Sequence, residues 1–271
     1  MIPEMFIEQW RKNAPWQTLA MVEQDLIISR ILVDLYNRNE IRETLVFRGG
    51  TALNKIYVNP PARYSEDIDL VQIKPGSIGS ILDCIRNCLS WLGEPKRIAT
   101  TRSSKLIYRY NSIDNVQSKL KIEINTTEHF HVEPIKYVNY QVDSEWFFGK
   151  SEMTTYELDE LMGTKLRALY QRRKGRDLFD LWLVLNRQLI NPTKVLDSFR
   201  LYSEHEGLKI TRALFEKNLE EKCKHFDFTS DMSALLTADT KWNFNFALEE
   251  VQNQLISQLA GEPFRQLNKK D

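Results

Sequence analysis

The segment from residue 44 to residue 73, TLVFRGGTALNKIYVNPPARYSEDIDLVQI, constrains the fold of this 271-residue chain more than any other stretch. Its first apolar run ends at Gly49-Gly50, which predicts a buried strand that enters a tight turn. A short helix capped by Thr51 is expected next, followed by a loop and a second strand that opens at Asp67. Side chains alternate along a strand, so Asp67 and Asp69 share one face, about 6.5 to 7 Å apart. Two carboxylates at this spacing can converge on divalent cations, because Mg²⁺ takes oxygen ligands.

The turn formed by Gly49, Gly50 and Thr51 is a candidate phosphate-binding site. A turn without Cβ atoms lets backbone N–H groups approach phosphate oxygens closely, and the N-terminus of the following helix adds a favourable dipole. A glycine pair alone marks many turns. This pair gains weight because the two aspartates follow at a distance that one helix and one loop can span.

The stretch FRGGTALNKIY followed by RYSEDIDL resembles the nucleotidyltransferase superfamily with a polymerase-β-like core. More narrowly, it resembles the AbiEii/AbiGii toxin family, bacterial nucleotidyltransferases of type IV toxin–antitoxin and abortive-infection systems. The resemblance covers residues 46–70 and recurs at ELMGTKLRALYQRRKGRDLFDLW, residues 160–182. It implies an α/β (α+β) fold, with a mixed sheet followed by a C-terminal helical domain. We expect residues 1–150 to form the nucleotidyltransferase domain with N-terminal helices, and residues 151–271 to form a helical domain that completes the active-site cleft.

The same resemblance implies roles for four further residues. Lys165 is expected to act as a compact positive charge on the triphosphate, although a lysine on an amphipathic helix is usually solvated. Asp177 is expected to help organise the active site, either by orienting Lys165 or as a base. Arg63 and Ser65 fall beside the nucleotide. Arg63 could instead pair with Glu66 at the surface, and Ser65 could instead order the turn.

Glu123 is the candidate for a third metal ligand. Residues 119–125 alternate between polar and apolar, so a half-buried strand would present Glu123 on its polar face. In the resembling superfamily a third carboxylate on a neighbouring strand often completes the metal site. The competing interpretation is a solvated edge strand whose polar side faces water.

The charge balance bears on partners, because 37 basic residues offset 37 acidic ones and the formal net charge is zero. A neutral total argues against a general nucleic-acid coating protein, although a local basic patch could still bind RNA. The run formed by Arg172, Arg173, Lys174 and Arg176 is either an ordinary surface run or a contact for RNA phosphates.

Other features exclude several classes of protein. No stretch approaches the roughly 18 apolar residues of a membrane span, and the N-terminus lacks the order of a signal peptide, so we expect a cytoplasmic protein with no membrane partner. Cys84 and Cys88 lie one helical turn apart among apolar residues and are expected in the core. His129 and His131 lack a further ligand pair at zinc spacing.

These features together predict a nucleotidyltransferase that uses Mg²⁺, or Mn²⁺, to transfer NMP from an NTP to an acceptor. Resemblance to the toxin family suggests RNA as that acceptor, with the 3′ end of tRNA as the leading candidate, and a cognate antitoxin as partner. A protein hydroxyl is the main rival acceptor. An interaction module that binds nucleotide without transferring it is a second alternative, and a two-metal nuclease, which leaves the glycine turn unexplained, is a third.

Overall fold

The computed structural model of the protein describes residues 2–265. The chain divides into two compact units, one of Met1–Glu157 with Leu235–Thr240 and one of Leu158–Ala234 with Lys241–Asp271. The first division falls after Glu157, just beyond the last strand of the first unit, which spans Phe148–Thr155. The segment Leu235–Thr240 returns to the first unit, where Leu236 forms a β-bridge with Arg63. Nothing in the sequence marks this return.

The first unit is built on one seven-stranded mixed sheet. Its strands are β1 (Leu45–Arg48), β2 (Asp67–Gln72), β3 (Lys96–Ala99), β4 (Ser103–Asn111), β5 (Gln117–Asn125), β6 (Lys136–Asp143) and β7 (Phe148–Thr155), in the order β3-β4-β5-β2-β1-β7-β6. Strand β2 pairs antiparallel with β1 and parallel with β5. The mixed sheet that was predicted is therefore confirmed.

Helices cover one face of this sheet. They are α1 (Glu4–Trp10), α2 (Leu19–Tyr36), α3 (Asn39–Thr44), the short α4 (Gly49–Ala52), which continues as a π-helical turn over Leu53–Tyr57, and α5 (Gly79–Cys88), which precedes a 3-10 turn at Ser90–Leu92. Thr51 lies inside α4 and does not cap it, because the helix already begins at Gly49. The core joins apolar residues of α2 and α5 to the inward side chains of the strands, and Cys84 and Cys88 pack against it, as predicted.

Strand β5 shows how the other face of the sheet is used. Leu120, Ile122 and Ile124 are fully buried, while the alternating Lys121 and Glu123 are half-buried. This strand lies between β4 and β2, so the edge-strand interpretation of Glu123 is wrong. The polar face of an interior strand is therefore available for a site.

The hairpin of β6 and β7 was not predicted from the sequence. Strand β7 alternates only weakly in polarity and carries Gly149, Lys150 and Ser151 in its first half. The strand is held at its end by Thr155, whose backbone is in register with Phe47 of β1 and whose hydroxyl donates to the Phe47 carbonyl. This pairing joins residues 108 positions apart, beyond the reach of local periodicity.

The second unit is helical, as expected for the C-terminal part. It contains α6 (Leu158–Gln171), α7 (Gly175–Asn186), α8 (Pro192–His205), α9 (Arg212–Cys223), the short α10 (Phe226–Thr229), α11 (Phe244–Gln254) and a 3-10 turn at Ile256–Gln258. The predicted interruption at Lys174-Gly175 is confirmed by the end of α6 and the start of α7. Phe179, Trp182 and Trp242 form a ring cluster in its core. Within residues 2–265, no helix combines the length and apolar character that a membrane crossing requires.

Candidate active site

Strand register aligns three acidic residues on the polar face of the first unit. Asp67 and Asp69 lie two residues apart on β2, and both are half-buried while Ile68 between them is fully buried. Asp69 is in register with Glu123 of β5 on one side and with Arg48 of β1 on the other. The structure therefore brings the two aspartates and the glutamate that were singled out in the sequence to one face of adjacent strands.

An ammonium group occupies the space between two of these carboxylates. Lys121 is in register with Asp67, and its Nζ lies 3.0 Å from Asp67 Oδ2 and 3.3 Å from Glu123 Oε2. Burial raises the pKa of Asp67 above its usual value, and the neighbouring charge of Asp69 adds to this, although Lys121 opposes it. A positive charge nearby therefore stabilises the ionised form of Asp67.

Glu123 is already engaged in this structure. Its Oε1 lies 3.0 Å from Lys105 Nζ and accepts a hydrogen bond from the Ser103 hydroxyl at 3.0 Å, while Oε2 faces Lys121. Burial alone would raise the pKa of Glu123, but the hydrogen bond from Lys105 and the charge of Lys121 outweigh it and hold the pKa below its usual value. In the part of the chain that the structure describes, no group of three His, Cys, Asp or Glu side chains is arranged to hold a metal. Glu123 as third ligand stays a prediction.

The donor set nevertheless suits a divalent cation. Asp67 and Asp69 offer hard carboxylate oxygens on one face of a rigid strand, and the Lys121 ammonium stands where positive charge is needed. Mg²⁺ is commonly bound by one or two carboxylates together with water and substrate phosphates. The pair Asp67 and Asp69 meets that requirement without a third protein ligand.

The glycine turn lies directly against this carboxylate pair. Gly49 has φ +82°, a left-handed conformation that favours glycine, and a Cβ at this position would overlap Asp69 Oδ2. Gly50 has a different reason to lack a side chain, because a Cβ there would overlap the guanidinium of Arg63. The backbone at Gly49 therefore lies against Asp69, a candidate metal ligand, and the space beside Gly50 is filled by the Arg63 guanidinium.

Arg63 is only 1% exposed, so the proposed surface pair with Glu66 is wrong. Arg63 Nη1 donates a hydrogen bond to the Tyr64 carbonyl, and the side-chain amide of Asn54 donates one to the Arg63 carbonyl. The buried Arg63 guanidinium therefore packs against Gly50 and supports the glycine turn from the protein interior. A direct phosphate contact by Arg63 stays a prediction.

Thr51 and Ser65 connect the turn to the start of β2. The Thr51 hydroxyl lies 2.5 Å from the Asp67 carbonyl oxygen and 2.9 Å from the Ser65 hydroxyl. It can donate to the carbonyl while accepting from Ser65, which fixes the backbone that carries Asp67. Both hydroxyls thus have an ordering role here, the alternative considered for Ser65 from the sequence.

Three residues of this face escaped the sequence analysis. Lys105 and Lys121 were visible only as ordinary polar positions of alternating strands. Lys105 is in register with Glu123 and Lys121 lies two positions before it on β5, so both ammonium groups contact its carboxylate. Arg48, which precedes the glycine pair, forms an ion pair with the buried Glu128 at 2.6 Å. The position of Arg48 at the end of a strand and next to Gly49 is a local signal that could have identified it.

The second unit carries a separate buried cluster around Lys165. Its Nζ lies 2.9 Å from Asp180 Oδ2 and 3.3 Å from Asp177 Oδ1, and the lysine is only 5% exposed. Arg172 makes two hydrogen bonds to Asp177, at 2.7 and 2.8 Å. Burial would raise the pKa of Asp177, but the charges of Lys165 and Arg172 outweigh it and hold the pKa below its usual value. Asp177 and Asp180 therefore both pair with Lys165, and Asp180 was not identified from the sequence.

The basic run at the start of α7 is largely neutralised by carboxylates of the same unit. Besides the pair of Arg172 with Asp177, Arg173 lies 3.0 Å from Asp227 and Arg176 lies 3.1 Å from Asp231. These pairs favour the ordinary structural interpretation of the run. The basic composition of the run therefore no longer supports its use as an RNA contact, because its arginines are already paired with carboxylates.

The histidines show no sign of a metal site in the described residues. His129 Nδ1 is hydrogen-bonded to the Gln72 carbonyl and His131 Nδ1 to the Glu133 carbonyl. Each ring is engaged separately with backbone.

Known proteins resemble this chain in sequence family and in fold. A family model described as nucleotidyl transferase AbiEii toxin, type IV TA system, matches residues 30–250. The fold is similar to MenT4, a nucleotidyltransferase toxin from Mycobacterium tuberculosis H37Rv, with TM-score 0.64, 16% identity and coverage of 96% of this chain and 91% of that one. It is also similar to a protein from H. pylori assigned as a nucleotidyltransferase, with TM-score 0.54, 19% identity and coverage of 86% and 92%. A search of the curated proteins found no match. The chain belongs to the AbiEii family and is a nucleotidyltransferase of the type IV toxin–antitoxin class.

Proposed function

We propose that this nucleotidyltransferase uses Mg²⁺, or Mn²⁺, to transfer NMP from an NTP to the 3′ end of an RNA, with tRNA as the expected acceptor. The observation that supports this most directly is the pair Asp67 and Asp69 on one face of β2, with an ammonium group standing in for a cation beside Asp67. A bound cation would supply Lewis-acid stabilisation of the charge that develops at the α-phosphorus.

The candidate residues of the first unit have separate proposed roles. Asp67 and Asp69 would hold the cation, and Glu123 can join them once Lys105 and Lys121 leave its oxygens. The turn at Gly49, Gly50 and Thr51 would receive phosphate on its backbone, next to Asp69. Attack of the acceptor hydroxyl on the α-phosphorus then forms the new ester bond and releases pyrophosphate and a proton.

Lys165 is proposed to stabilise negative charge on the triphosphate. Its amine is oriented by Asp177 and Asp180, and a lysine held in this way acts as a preorganised point charge. Asp177 is proposed as a positioning residue. Its two bonds to Arg172 leave little capacity for a role as a base.

A cognate antitoxin is the expected partner, because the chain belongs to a type IV toxin–antitoxin family. RNA is proposed as the acceptor because of the resemblance to the toxin family. Transfer to a protein hydroxyl is the second candidate.

The test incubates the protein with each of the four NTPs, labelled at the α-phosphate, together with Mg²⁺ and either total RNA or total cell protein. Label in RNA is the expected result, and γ-labelled NTP should leave the RNA unlabelled because that phosphate departs with pyrophosphate. Asp67→Asn and Asp69→Asn should each lower transfer more than about 100-fold, since a lost metal ligand removes several kcal/mol of stabilisation.

Three results would contradict the proposal. Label in protein alone would replace the RNA acceptor, and label from the γ-position would replace nucleotidyl transfer with phosphoryl transfer. Transfer at the wild-type rate by a folded Asp67→Asn variant would remove the metal assignment.

A further inference from the structure

We propose that the open face of β3, β4 and β5 is the surface that holds the phosphate backbone of the acceptor RNA. This inference rests on the proposed function, because it assigns a binding surface to the acceptor of that reaction. It concerns the face that carries Asp67, Asp69 and Glu123, continued outward across the three strands.

Strand register defines which side chains share this face. Lys121 of β5 is in register with Ile107 of β4, and Ile107 with Lys96 of β3. Lys119 is in register with Arg109, and Glu123 with Lys105. The alternate residues Leu106, Tyr108 and Leu120 are fully buried on the opposite side. We call the open set the basic strand face; its cations are Lys96, Lys105, Arg109, Lys119 and Lys121.

The basic strand face concentrates positive charge in a protein whose net charge is zero. Lys105 and Lys121 share the single carboxylate of Glu123, and Lys121 also pairs with Asp67. Lys96, Arg109 and Lys119 are exposed, and among residues 2–265 no carboxylate lies within 4.0 Å of any of the three. Three charges are therefore available for an external anion.

The arginines at the start of α7 provide the contrast. Arg172, Arg173 and Arg176 each have a carboxylate within 3.1 Å in their own unit. An arginine that is already paired with a carboxylate either releases no counterion when a phosphate binds or must first lose that carboxylate. The unpaired cations of the strand face are therefore the better site for a polyanion.

The spacing and the continuity of the face favour an extended nucleic-acid strand. Neighbouring strands are about 4.8 Å apart and alternate residues about 6.6 Å apart, so the cations form a regular array. The array ends at Lys121, 3.0 Å from Asp67, which leads a bound backbone to the reacting carboxylates. Ile98 and Ile107 lie on the same face and offer apolar contact for sugars and bases.

An acidic protein segment is the competing occupant. It would pair with the same cations. Binding of a protein segment, however, does not require that these cations lead to the aspartates where the nucleotide is transferred. The position of the array therefore favours RNA.

The test measures RNA binding separately from transfer. Fluorescence anisotropy with total tRNA in EDTA compares the wild type with the triple variant Lys96→Gln, Arg109→Gln, Lys119→Gln over a series of salt concentrations. We expect about 10- to 100-fold weaker binding and a salt slope smaller by about 2, because up to three fewer counterions are released. A matched triple variant, Arg97→Gln, Lys209→Gln, Lys217→Gln, removes three exposed cations that lie outside the basic strand face and should bind as the wild type does.

The inference is overturned if the first triple variant is folded, by its melting temperature, and keeps the wild-type affinity and slope. It is also overturned if the wild type does not bind tRNA, or if the variant loses binding to poly-glutamate while tRNA affinity is unchanged, which would assign the face to an acidic protein. Failure of the proposed function is distinct, because it appears as absence of α-label in RNA whatever the binding data show.

Discussion

Lys121 and Asp67 are paired across two parallel strands, with the lysine Nζ 3.0 Å from the aspartate Oδ2. Burial lowers the pKa of Lys121, but the hydrogen bond and charge of Asp67 outweigh it and raise the pKa above its usual value. The strand therefore carries its own cation beside the candidate metal ligands. A divalent cation that binds to Asp67 must compete with this ammonium.

The first prediction is that Lys121→Ala tightens Mn²⁺ binding while it weakens the metal-free fold. Removing the competing ammonium should improve Mn²⁺ affinity several-fold, the equivalent of about 1 kcal/mol. In EDTA the free energy of unfolding should fall by less than about 1 kcal/mol, because both partners are about a third exposed. Calorimetric Mn²⁺ titration and urea unfolding measure the two effects, with Lys119→Ala on the same strand as control. Weaker Mn²⁺ binding in Lys121→Ala would instead make this lysine a support for the site.

The second prediction compares two glycines with nearly the same positive φ. Gly49 has φ +82° and Gly93 has φ +81°, but a Cβ at Gly49 would overlap Asp69, whereas nothing lies within 4 Å of a Cβ at Gly93. Gly93→Ala should cost about 1 to 3 kcal/mol of stability from strain alone, because φ +81° with ψ −169° is a conformation that almost only glycine adopts, and it should leave transfer unchanged. Gly49→Ala should cost more and lower both transfer and Mn²⁺ affinity, because Asp69 is displaced. Equal transfer rates for the two folded variants would show that the approach of Gly49 to Asp69 is unimportant.

The third prediction concerns the charge of Lys165. Lys165→Met alone leaves Asp177 and Asp180 buried without their shared cation, so we combine it with Asp180→Asn, which removes one of the two charges. The double variant should fold, bind Mn²⁺ at the aspartates of the first unit as before, and transfer nucleotide at least about 100-fold more slowly. Asp180→Asn alone serves as the matched control. Wild-type transfer by the double variant would exclude a role for Lys165 on the triphosphate.

The fourth prediction is a pH dependence carried by Asp177. Its folded-state pKa is depressed, so it contributes stability above the unfolded-state pKa of about 3.9, and this contribution is lost as pH falls through the folded-state pKa. Asp177→Asn should therefore cost about 3 to 5 kcal/mol at pH 7, the range for breaking a buried ion pair. The difference from wild type should shrink as pH falls below 3.9. Urea unfolding followed by tryptophan fluorescence at pH 7 and pH 3 checks this, and a constant difference would contradict it.

Local sequence determined the elements that carry the chemistry. The strand, the glycine pair and the second strand with alternating Asp67 and Asp69 follow from residue type and a period of two. The break between α6 and α7 at Lys174-Gly175 follows in the same way. These features involve neighbours in the chain, and their backbone preferences act over a few residues.

Tertiary structure decided which residues meet. The pairing of Lys121 with Asp67 depends on the register of two parallel strands more than 50 residues apart, and alternation identifies a face without identifying the partner opposite. The neutralisation of Arg173 and Arg176 by Asp227 and Asp231 depends on helix packing across more than 50 residues. Burial of Arg63 against Gly50 likewise requires the fold. Sequence therefore determined which charges exist and which face of an element they share, whereas packing decided which of them are paired, because an ion pair depends on distances that only the folded chain sets.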